Sequence, residues 1–182
     1  MVEMPLRQTP DMAPDETFGR ACQVGVIAPR QRLVLRCARP LARAGGFDLG
    51  IALNRFSRNG SLVAARVGPD EFWLFGPLDA PIHGEVSAAF AANPHALVDV
   101  SHAQAGVRLG GDRVSDVLNA GCPLDLGLVA FPVQMATRTL LGKAPVLLMR
   151  EGPDHFLVET ARSHIDYVRQ FIRLAAREYE TP

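Results

Sequence analysis

Short runs of apolar and β-branched residues, many of them alternating with polar positions, follow one another along most of the chain. Such runs predict β-strands when turn residues separate them. The clearest runs cover residues 32–37, 48–53, 61–66, 71–75, 96–100, 106–109, 135–141 and 145–150. Gly68, Pro69 and Asp70 lie between the third and fourth runs and supply the turn of a hairpin. The last two runs predict a second hairpin.

Apolar residues at helical spacing predict three helices among these strands. Each helix follows a residue that is favoured as an N-cap, namely Asp79, Asp112 or Ser163. The apolar stripes then lie within residues 82–90, 114–118 and 165–179.

The last predicted helix also carries a row of arginines. Arg169, Arg173 and Arg177 are four residues apart and share one face. This row is either a solvated face near the helix C-terminus, where cations are favourable, or a strip that binds a partner.

A motif occurs twice in the chain. Arg-x-Gly-Pro-Asp-x-Phe begins at Arg66 and again at Arg150, each time between two predicted strands and ahead of a helix. We therefore predict an α+β fold made of two intertwined strand-hairpin-helix repeats around one core. This duplicated domain is expected to span residues 21–182.

The first 20 residues follow a different pattern. They contain Pro5, Pro10 and Pro14, scattered acids and no apolar period, so they bury too little surface to offset the entropy lost on ordering. We predict a flexible N-terminal arm over residues 1–20. The alternative is a segment that becomes ordered against a partner protein.

Composition narrows the functional classes. The 182 residues contain 19 Lys and Arg and 19 Asp and Glu, a balance that argues against nucleic acid or a membrane surface as the partner. Cys22, Cys37 and Cys122 are an odd number at wide spacing, which indicates neither a disulfide framework nor a zinc site. The sequence also shows neither an apolar leader nor a membrane-length apolar run. We expect a soluble, unprocessed protein of the reducing cytoplasm.

The sequence contains no recognisable catalytic arrangement. Neither Gly-x-Gly-x-x-Gly nor a P-loop is present, and the five histidines have no metal-binding spacing. Asp99, Ser101 and His102 are too close together in one strand to converge as a triad. We therefore assign no catalytic, cofactor-binding or metal-binding residue. Trp73 is either a core residue or an aromatic anchor of a protein interface.

Five segments, in this order, resemble the gamma subunit family of heterotetrameric sarcosine oxidase. They cover residues 67–75, 97–101, 107–112, 121–126 and 139–143. Gly-Cys-Pro-Leu-Asp-Leu at 121–126 and Gly-Pro-Asp-Glu-Phe-Trp at 68–73 are the more specific of them. The Asp-Val-Ser segment is shared with the wider aminomethyltransferase superfamily.

The resemblance implies a fold like the folate-binding domain of the aminomethyltransferase superfamily. It also implies a complex that demethylates sarcosine oxidatively to glycine, with hydrogen peroxide and methylene-tetrahydrofolate as further products. FAD, FMN, NAD, zinc and tetrahydrofolate would then belong to the alpha, beta and delta subunits. This chain would be a non-catalytic subunit that assembles with the alpha subunit and self-associates when isolated.

Two other interpretations remain open. A stand-alone folate-binding or one-carbon module would need a carboxylate beside a folate pocket. Asp99 is the only strand acid inside a shared motif, but its position matches a structural aspartate of the aminomethyltransferase superfamily, so we interpret it as a residue that bonds within the core or a turn. The third interpretation is a homo-oligomeric scaffold.

Overall fold

A computed structural model describes residues 16–18 and 21–179. The strands are β1 (Glu16–Phe18), β2 (Cys22–Val26), β3 (Gln31–Cys37), β4 (Arg43–Ala44), β5 (Phe47–Asp48), β6 (Arg55–Asn59), β7 (Leu62–Arg66), β8 (Glu71–Gly76), β9 (His95–Asp99), β10 (Gln104–Gly110), β11 (Ala136–Leu141), β12 (Ala144–Gly152) and β13 (His155–Ala161). The helices are α1 (Ile82–Ala89), α2 (Val114–Asn119) and α3 (Ile165–Ala176). Single 3₁₀ turns flank α3 at Arg162–His164 and Arg177–Tyr179.

Two antiparallel sheets organise the described residues. One has five strands in the order β6-β7-β8-β3-β9, and the other has six in the order β11-β12-β13-β10-β2-β1. Apart from β1, the two orders correspond strand by strand. The first repeat therefore comprises β2, β3, β6, β7, β8 and α1, and the second comprises β9, β10, β11, β12, β13 and α3. This duplication confirms the predicted α+β fold.

The repeats exchange one strand each. Strand β2 precedes the first repeat's β3, but it pairs with β10 of the second repeat. Strand β9 precedes β10 in the same way, but it pairs with β3 of the first repeat. The two repeats are thus intertwined through their backbone hydrogen bonds as well as through their side chains.

Side chains form three apolar layers because successive residues of a strand face opposite sides of a sheet. Helix α1 covers the outer face of the five-stranded sheet, where Leu33, Phe72 and Leu74 are fully buried. Helices α2 and α3 cover the outer face of the six-stranded sheet. The layer between the sheets belongs to both repeats; its buried members are Ile27, Phe56, Val63, Ala65, Val67, Phe75, Ala136, Leu147, Met149 and Leu157.

The predicted helix caps were wrong, although all three helices are present. Helix α1 begins at Ile82 after Pro81, α2 begins after Arg113, and α3 begins after a 3₁₀ turn that contains Ser163. Among the described residues, no side chain caps any of these starts. Before α1, the Gln31 side-chain amide donates to the carbonyls of Pro77 and Leu78, which holds that segment as a turn.

The run over residues 48–53 is mostly not a strand. Only Phe47 and Asp48 form strand β5, which pairs with β4. The amides of Leu49 and Gly50 both donate to the carbonyl of Ala42. These bonds close a local turn in place of a sheet ladder.

Most of the predicted arm lies outside the described residues. Its described part, Glu16–Phe18, is not a free segment, because it pairs with Cys22–Val26 at the edge of the six-stranded sheet.

Candidate functional site

The repeated motif locks the same turn in both repeats. The guanidinium of Arg66 lies over the ring of Phe72 at 5.5 Å, and that of Arg150 lies over Phe156 at 4.7 Å. Each arginine also donates to the proline carbonyl of its own Gly-Pro-Asp turn, over 2.8 Å in the first repeat and 3.1 Å in the second. The motif is therefore a structural device of the fold, which explains why it recurs.

The same two arginines hold the loop between the second and third strands of their repeats. We call residues 38–54 the first connecting loop and residues 111–135 the second connecting loop. Arg66 donates to the carbonyl of Ile51 at 3.1 Å. Arg150 donates to two carbonyls of the second loop, those of Leu126 and Phe131, each at 2.8 Å.

The second connecting loop exposes apolar side chains at its tip. Val129 is 98% exposed, Leu128 is 52% exposed and Val133 is 39% exposed. Ala130 is exposed as well. A cluster of this kind on a well-held loop differs from isolated exposed leucines, which are ordinary on protein surfaces.

A groove of about 190 Å³ lies beside Trp73, where β8 meets strands β11 to β13 of the other sheet. Trp73, Val146 and Leu147 are among its lining residues, which also include the polar residues Gln104, Arg138 and His164. Trp73 is half-buried, stacks at a tilt on Phe75 with centroids 6.2 Å apart, and donates from Nε1 to Glu71 at 3.2 Å. Trp73 thus lines a surface depression as well as the inter-sheet layer.

The groove also reaches a buried ion cluster. Glu159 is 1% exposed and accepts from Arg30 at 2.7 Å and from Arg32 at 2.7 Å. Gly106 leaves the space for this carboxylate, since an added Cβ would lie 2.5 Å from Oε1 of Glu159. Burial lowers the pKa of Arg30, and the charge of Glu159 opposes that shift. Because Arg32 belongs to β3 and Glu159 to β13, the cluster joins the two sheets.

Two further Glu–Arg contacts cross between the sheets. Glu71 of β8 pairs with Arg138 of β11 at 3.0 Å, and Glu151 of β12 pairs with Arg58 of β6. All these carboxylates are held by arginines, an arrangement suited to fixing the sheets and not to proton transfer.

The other residues considered as functional candidates, namely Asp99, Ser101 and the three cysteines, make structural contacts or are buried. Asp99 is exposed and accepts from the amide of Ser101 at 2.8 Å, while the hydroxyl of Ser101 accepts from the amide of Arg32 at 2.9 Å. Cys22, Cys37 and Cys122 are free and buried. Burial raises the pKa of Cys22 to about 11, so this thiol stays protonated at neutral pH.

Part of the arginine row on α3 has a contact within the chain. Arg169 and Arg173 each pair with Glu16 of β1 at 2.8 Å. Arg169 and Arg173 therefore fasten the N-terminal strand, a role that the sequence pattern did not indicate.

Within the described residues, no group of three or more His, Cys, Asp or Glu side chains is arranged to hold a metal ion. The helices of residues 21–179 are all too short or too polar to cross a bilayer.

Comparison with known protein families gives a match over most of the chain. The model of the family described as "Sarcosine oxidase, gamma subunit family" matches residues 36–178. The sarcosine oxidase subunit gamma of an Arthrobacter species is 32% identical over 116 residues, which are 64% of this chain and 57% of that protein. The subunit of the same name from Corynebacterium sp. strain P-1 is 32% identical over 62% of this chain and 56% of its own length. The matched part thus spans little more than half of these two relatives.

Solved structures extend the comparison to the fold. A chain of heterotetrameric sarcosine oxidase from Corynebacterium sp. U-96, in complex with pyrrole 2-carboxylate, superposes with a TM-score of 0.80 at 25% identity, over 90% of this chain and 87% of that one. The glycine cleavage system aminomethyltransferase T from Bartonella henselae superposes with a TM-score of 0.62 at 14% identity, over 85% of this chain and 48% of that one. The second likeness shows the fold alone, and it agrees with the folate-binding-like architecture expected from the sequence.

Proposed function

Because the chain belongs to the sarcosine oxidase gamma subunit family, we propose that it is the non-catalytic gamma subunit of a heterotetrameric sarcosine oxidase. The complex would demethylate sarcosine oxidatively to glycine, forming hydrogen peroxide and methylene-tetrahydrofolate. The observation that carries the proposal is the family match over residues 36–178, joined to a superposition that covers 90% of the chain.

The proposal assigns the chemistry to partner chains. Alpha, beta and delta subunits would hold FAD, FMN, NAD, zinc and tetrahydrofolate, and this chain would assemble with the alpha subunit. Hydride transfer needs a cofactor held by a nucleotide-binding motif, and the sequence of this chain has no Gly-x-Gly-x-x-Gly. Its free, buried cysteines suit the reducing cytoplasm that we propose as its location.

We propose the groove beside Trp73 as one contact with the alpha subunit. Its volume of about 190 Å³ suits one large side chain of the partner, and its lining combines the indole of Trp73 and aliphatic residues with polar residues such as Gln104, Arg138 and His164. Aromatic residues beside such pockets carry a large share of the binding energy in protein interfaces.

The first experiment is purification of the tagged chain from its own host, followed by a visible absorption spectrum. The expected result is a yellow complex in which larger chains accompany this one and a flavin band is present. A colourless chain that elutes alone would contradict the proposal.

Truncation of the groove wall tests the role of Trp73. Trp73→Ala is expected to lower the amount of co-purified partner by at least about 10-fold, as loss of an interface hot spot does. Leu174→Ala is the control, because Leu174 is 65% exposed on α3 and its truncation should leave assembly unchanged. If Trp73→Ala lowers the melting temperature of the isolated chain while the complex still forms, Trp73 is a core residue and not an interface anchor.

The second candidate function is a stand-alone folate-binding module, and the shared fold with aminomethyltransferase T favours it. Such a protein would be monomeric and well behaved alone, and tetrahydrofolate would raise its melting temperature by mass action. Absence of any shift at millimolar tetrahydrofolate would remove this candidate.

A further inference from the structure

Strand β9 is an outer strand of the five-stranded sheet and pairs with β3 on one side. Just after β9, the amide of Val100 donates to the carbonyl of Arg32 at 2.8 Å. Because consecutive residues of a strand turn their backbone groups to opposite sides, those of His95, Leu97 and Asp99 face away from β3. No strand of the described residues pairs with β9 on that side.

The corresponding edge of the six-stranded sheet is covered. Strand β2 is the equivalent of β9, and its outer side pairs with the three residues of β1. The opposite edge of the five-stranded sheet is covered at the start of β6. There the Phe56 amide donates to the carbonyl of Gln134 at 3.0 Å, and the Ala136 amide donates to that of Asn54 at 3.0 Å. The fold therefore accepts an added antiparallel strand at the position that β9 leaves open.

Strand β9 lacks the lysine, proline or bulge that usually protects an outer strand from pairing. Residues 95–99 contain neither lysine nor proline, and their register with β3 is regular throughout. The side chain of Val98 is 54% exposed, and Ala96 is exposed as well. This edge can therefore pair with a further strand.

The outward-facing residues of β9 are complementary to those of a second β9. When two copies pair antiparallel about a two-fold axis at Leu97, His95 of each copy lies opposite Asp99 of the other. The three outward-facing pairs then exchange about six backbone hydrogen bonds. A histidine opposite a carboxylate is favourable, whereas an axis shifted to Asp99 would oppose two carboxylates. The charges thus select one register.

We propose that two copies of this chain associate through β9 and join their five-stranded sheets into one continuous antiparallel sheet. Val98 of each copy then contacts Ala96 of the other, and the two Leu97 side chains meet on the face that α1 covers. The occupant is a second copy because a two-fold contact requires a self-complementary strand, and β9 is one. Such a dimer does not depend on the chemistry proposed for the complex, and it gives the self-association expected of the isolated chain a defined surface.

The first test measures the mass of the full chain, purified alone, by sedimentation velocity at several concentrations. Val98→Lys, which places a charge inside the proposed contact, is compared with Leu140→Lys. Leu140 is a matched control, because it is 47% exposed on β11, an outer strand of the other sheet. We expect the unmodified chain and the control to dimerise, and Val98→Lys to dimerise at least about 30-fold more weakly. Its melting temperature should equal that of the unmodified chain at a concentration where both are monomeric.

A cross-link tests the register. Ala96→Cys and Val98→Cys are made separately in the full chain, whose three natural cysteines are buried. In the proposed register, position 96 of one copy lies directly opposite position 98 of the other, with Cα atoms about 4.5 Å apart, which a disulfide can bridge. A mixture of the two variants should therefore form a linked dimer with oxidised glutathione. Each variant alone should not, because like positions are diagonal neighbours about 7–8 Å apart.

Each contrary outcome has a distinct meaning. A chain that is monomeric at every concentration, or a dimer that Val98→Lys leaves intact, overturns the inference. A dimer that the mixed cysteine variants do not cross-link uses another register or surface, which overturns it as well. If the isolated chain is monomeric and Val98→Lys instead lowers recovery of partner subunits on co-expression, β9 pairs with a strand of a partner subunit and not with a second copy. None of these results changes the flavin spectrum by which the proposed function is judged.

Discussion

The two repeats place an arginine at the same position but expose different numbers of apolar side chains in the loop that it holds. In the first repeat the loop held by Arg66 buries Phe47 and Leu49, and Leu53 is its one large hydrophobic residue that is exposed. In the second repeat the loop held by Arg150 buries Leu126 and Phe131 but exposes Leu128, Val129 and Val133. Duplication has kept the framework and left the loops free to differ, as is usual where function resides in loops on a rigid scaffold.

The centre of the molecule shows the same divergence. Phe75 and Glu159 occupy equivalent positions on β8 and β13 and both face the layer between the sheets. Arg30 contacts both, since its guanidinium lies 4.2 Å above the ring of Phe75 and donates to Glu159. At this position the first repeat has the apolar Phe75, whereas the second repeat has the carboxylate of Glu159, which is paired with two arginines.

The largest expected effect comes from removing that carboxylate. Glu159→Gln leaves the buried charges of Arg30 and Arg32 without a counter-ion and should lower the free energy of unfolding by about 3–5 kcal/mol. Urea denaturation measures the loss. The triple variant with Arg30→Met, Arg32→Met and Glu159→Leu should be more stable than Glu159→Gln, because it buries no unpaired charge. A triple variant less stable than the single one would contradict this account.

The second-largest expected effect is a difference in stability between variants of the two motif arginines, Arg150 and Arg66. Arg150→Met leaves the buried carbonyls of Leu126 and Phe131 without a donor, and we expect a loss of about 3 kcal/mol. Arg66→Met should cost only about 1 kcal/mol, since Arg66 is less buried and its bonds to the carbonyls of Ile51 and Pro69 are partly buried and exposed, respectively. Equal losses in urea denaturation would mean that the repeats use the motif identically.

The smallest expected effect on stability comes from Glu16 in β1, an edge strand of the six-stranded sheet that has no counterpart in the five-stranded sheet. Burial raises the pKa of Glu16, but hydrogen bonds and the charges of Arg173 and Arg169 outweigh it, so the net pKa lies below the ordinary value of 4.5. A carboxyl with a lowered folded-state pKa contributes stability that is complete above its unfolded-state pKa and is lost as pH falls through the folded-state pKa.

Glu16→Gln should therefore lower stability by no more than about 1 kcal/mol at pH 7, because partly exposed ion pairs are weak. The difference from the unmodified chain should shrink as the pH falls below the ordinary carboxyl pKa of 4.5, as followed by thermal unfolding. A difference that stays constant over the whole acid range in which the chain remains folded would show that the charge of Glu16 is not what holds β1.

Much of the fold was predictable from local signals. The recurrence of the motif at Arg66 and Arg150 predicted the duplication, and runs such as 71–75 predicted strands that are present. Helix starts were less predictable, because contacts from distant residues such as Gln31 decide where α1 begins. The exchange of β2 could not be predicted from local sequence, because the sequence of a strand does not determine which strand it pairs with.

The candidate surfaces were predictable only in part. Trp73 was identified from its residue type, but the groove beside it depends on strands from the other repeat. The buried ion pair of Glu159 could not be predicted from the sequence, because its partner Arg32 is 127 positions away. Leu128 and Val129 are indistinguishable from core residues in the sequence, and only the fold places them at the surface.

The strand exchange has a consequence for how the nascent chain folds. As the first repeat leaves the ribosome, β2 can pair only with the three residues of β1 until β10 has been synthesised, and one edge of β3 stays unpaired until β9 has been synthesised. Unpaired strand edges of this kind are prone to aggregation, and pairings over long sequence separation form slowly. Neither sheet can close before the second repeat arrives, so both repeats acquire their structure in one cooperative step. A chain cut between residues 90 and 94 would not yield two independently stable halves.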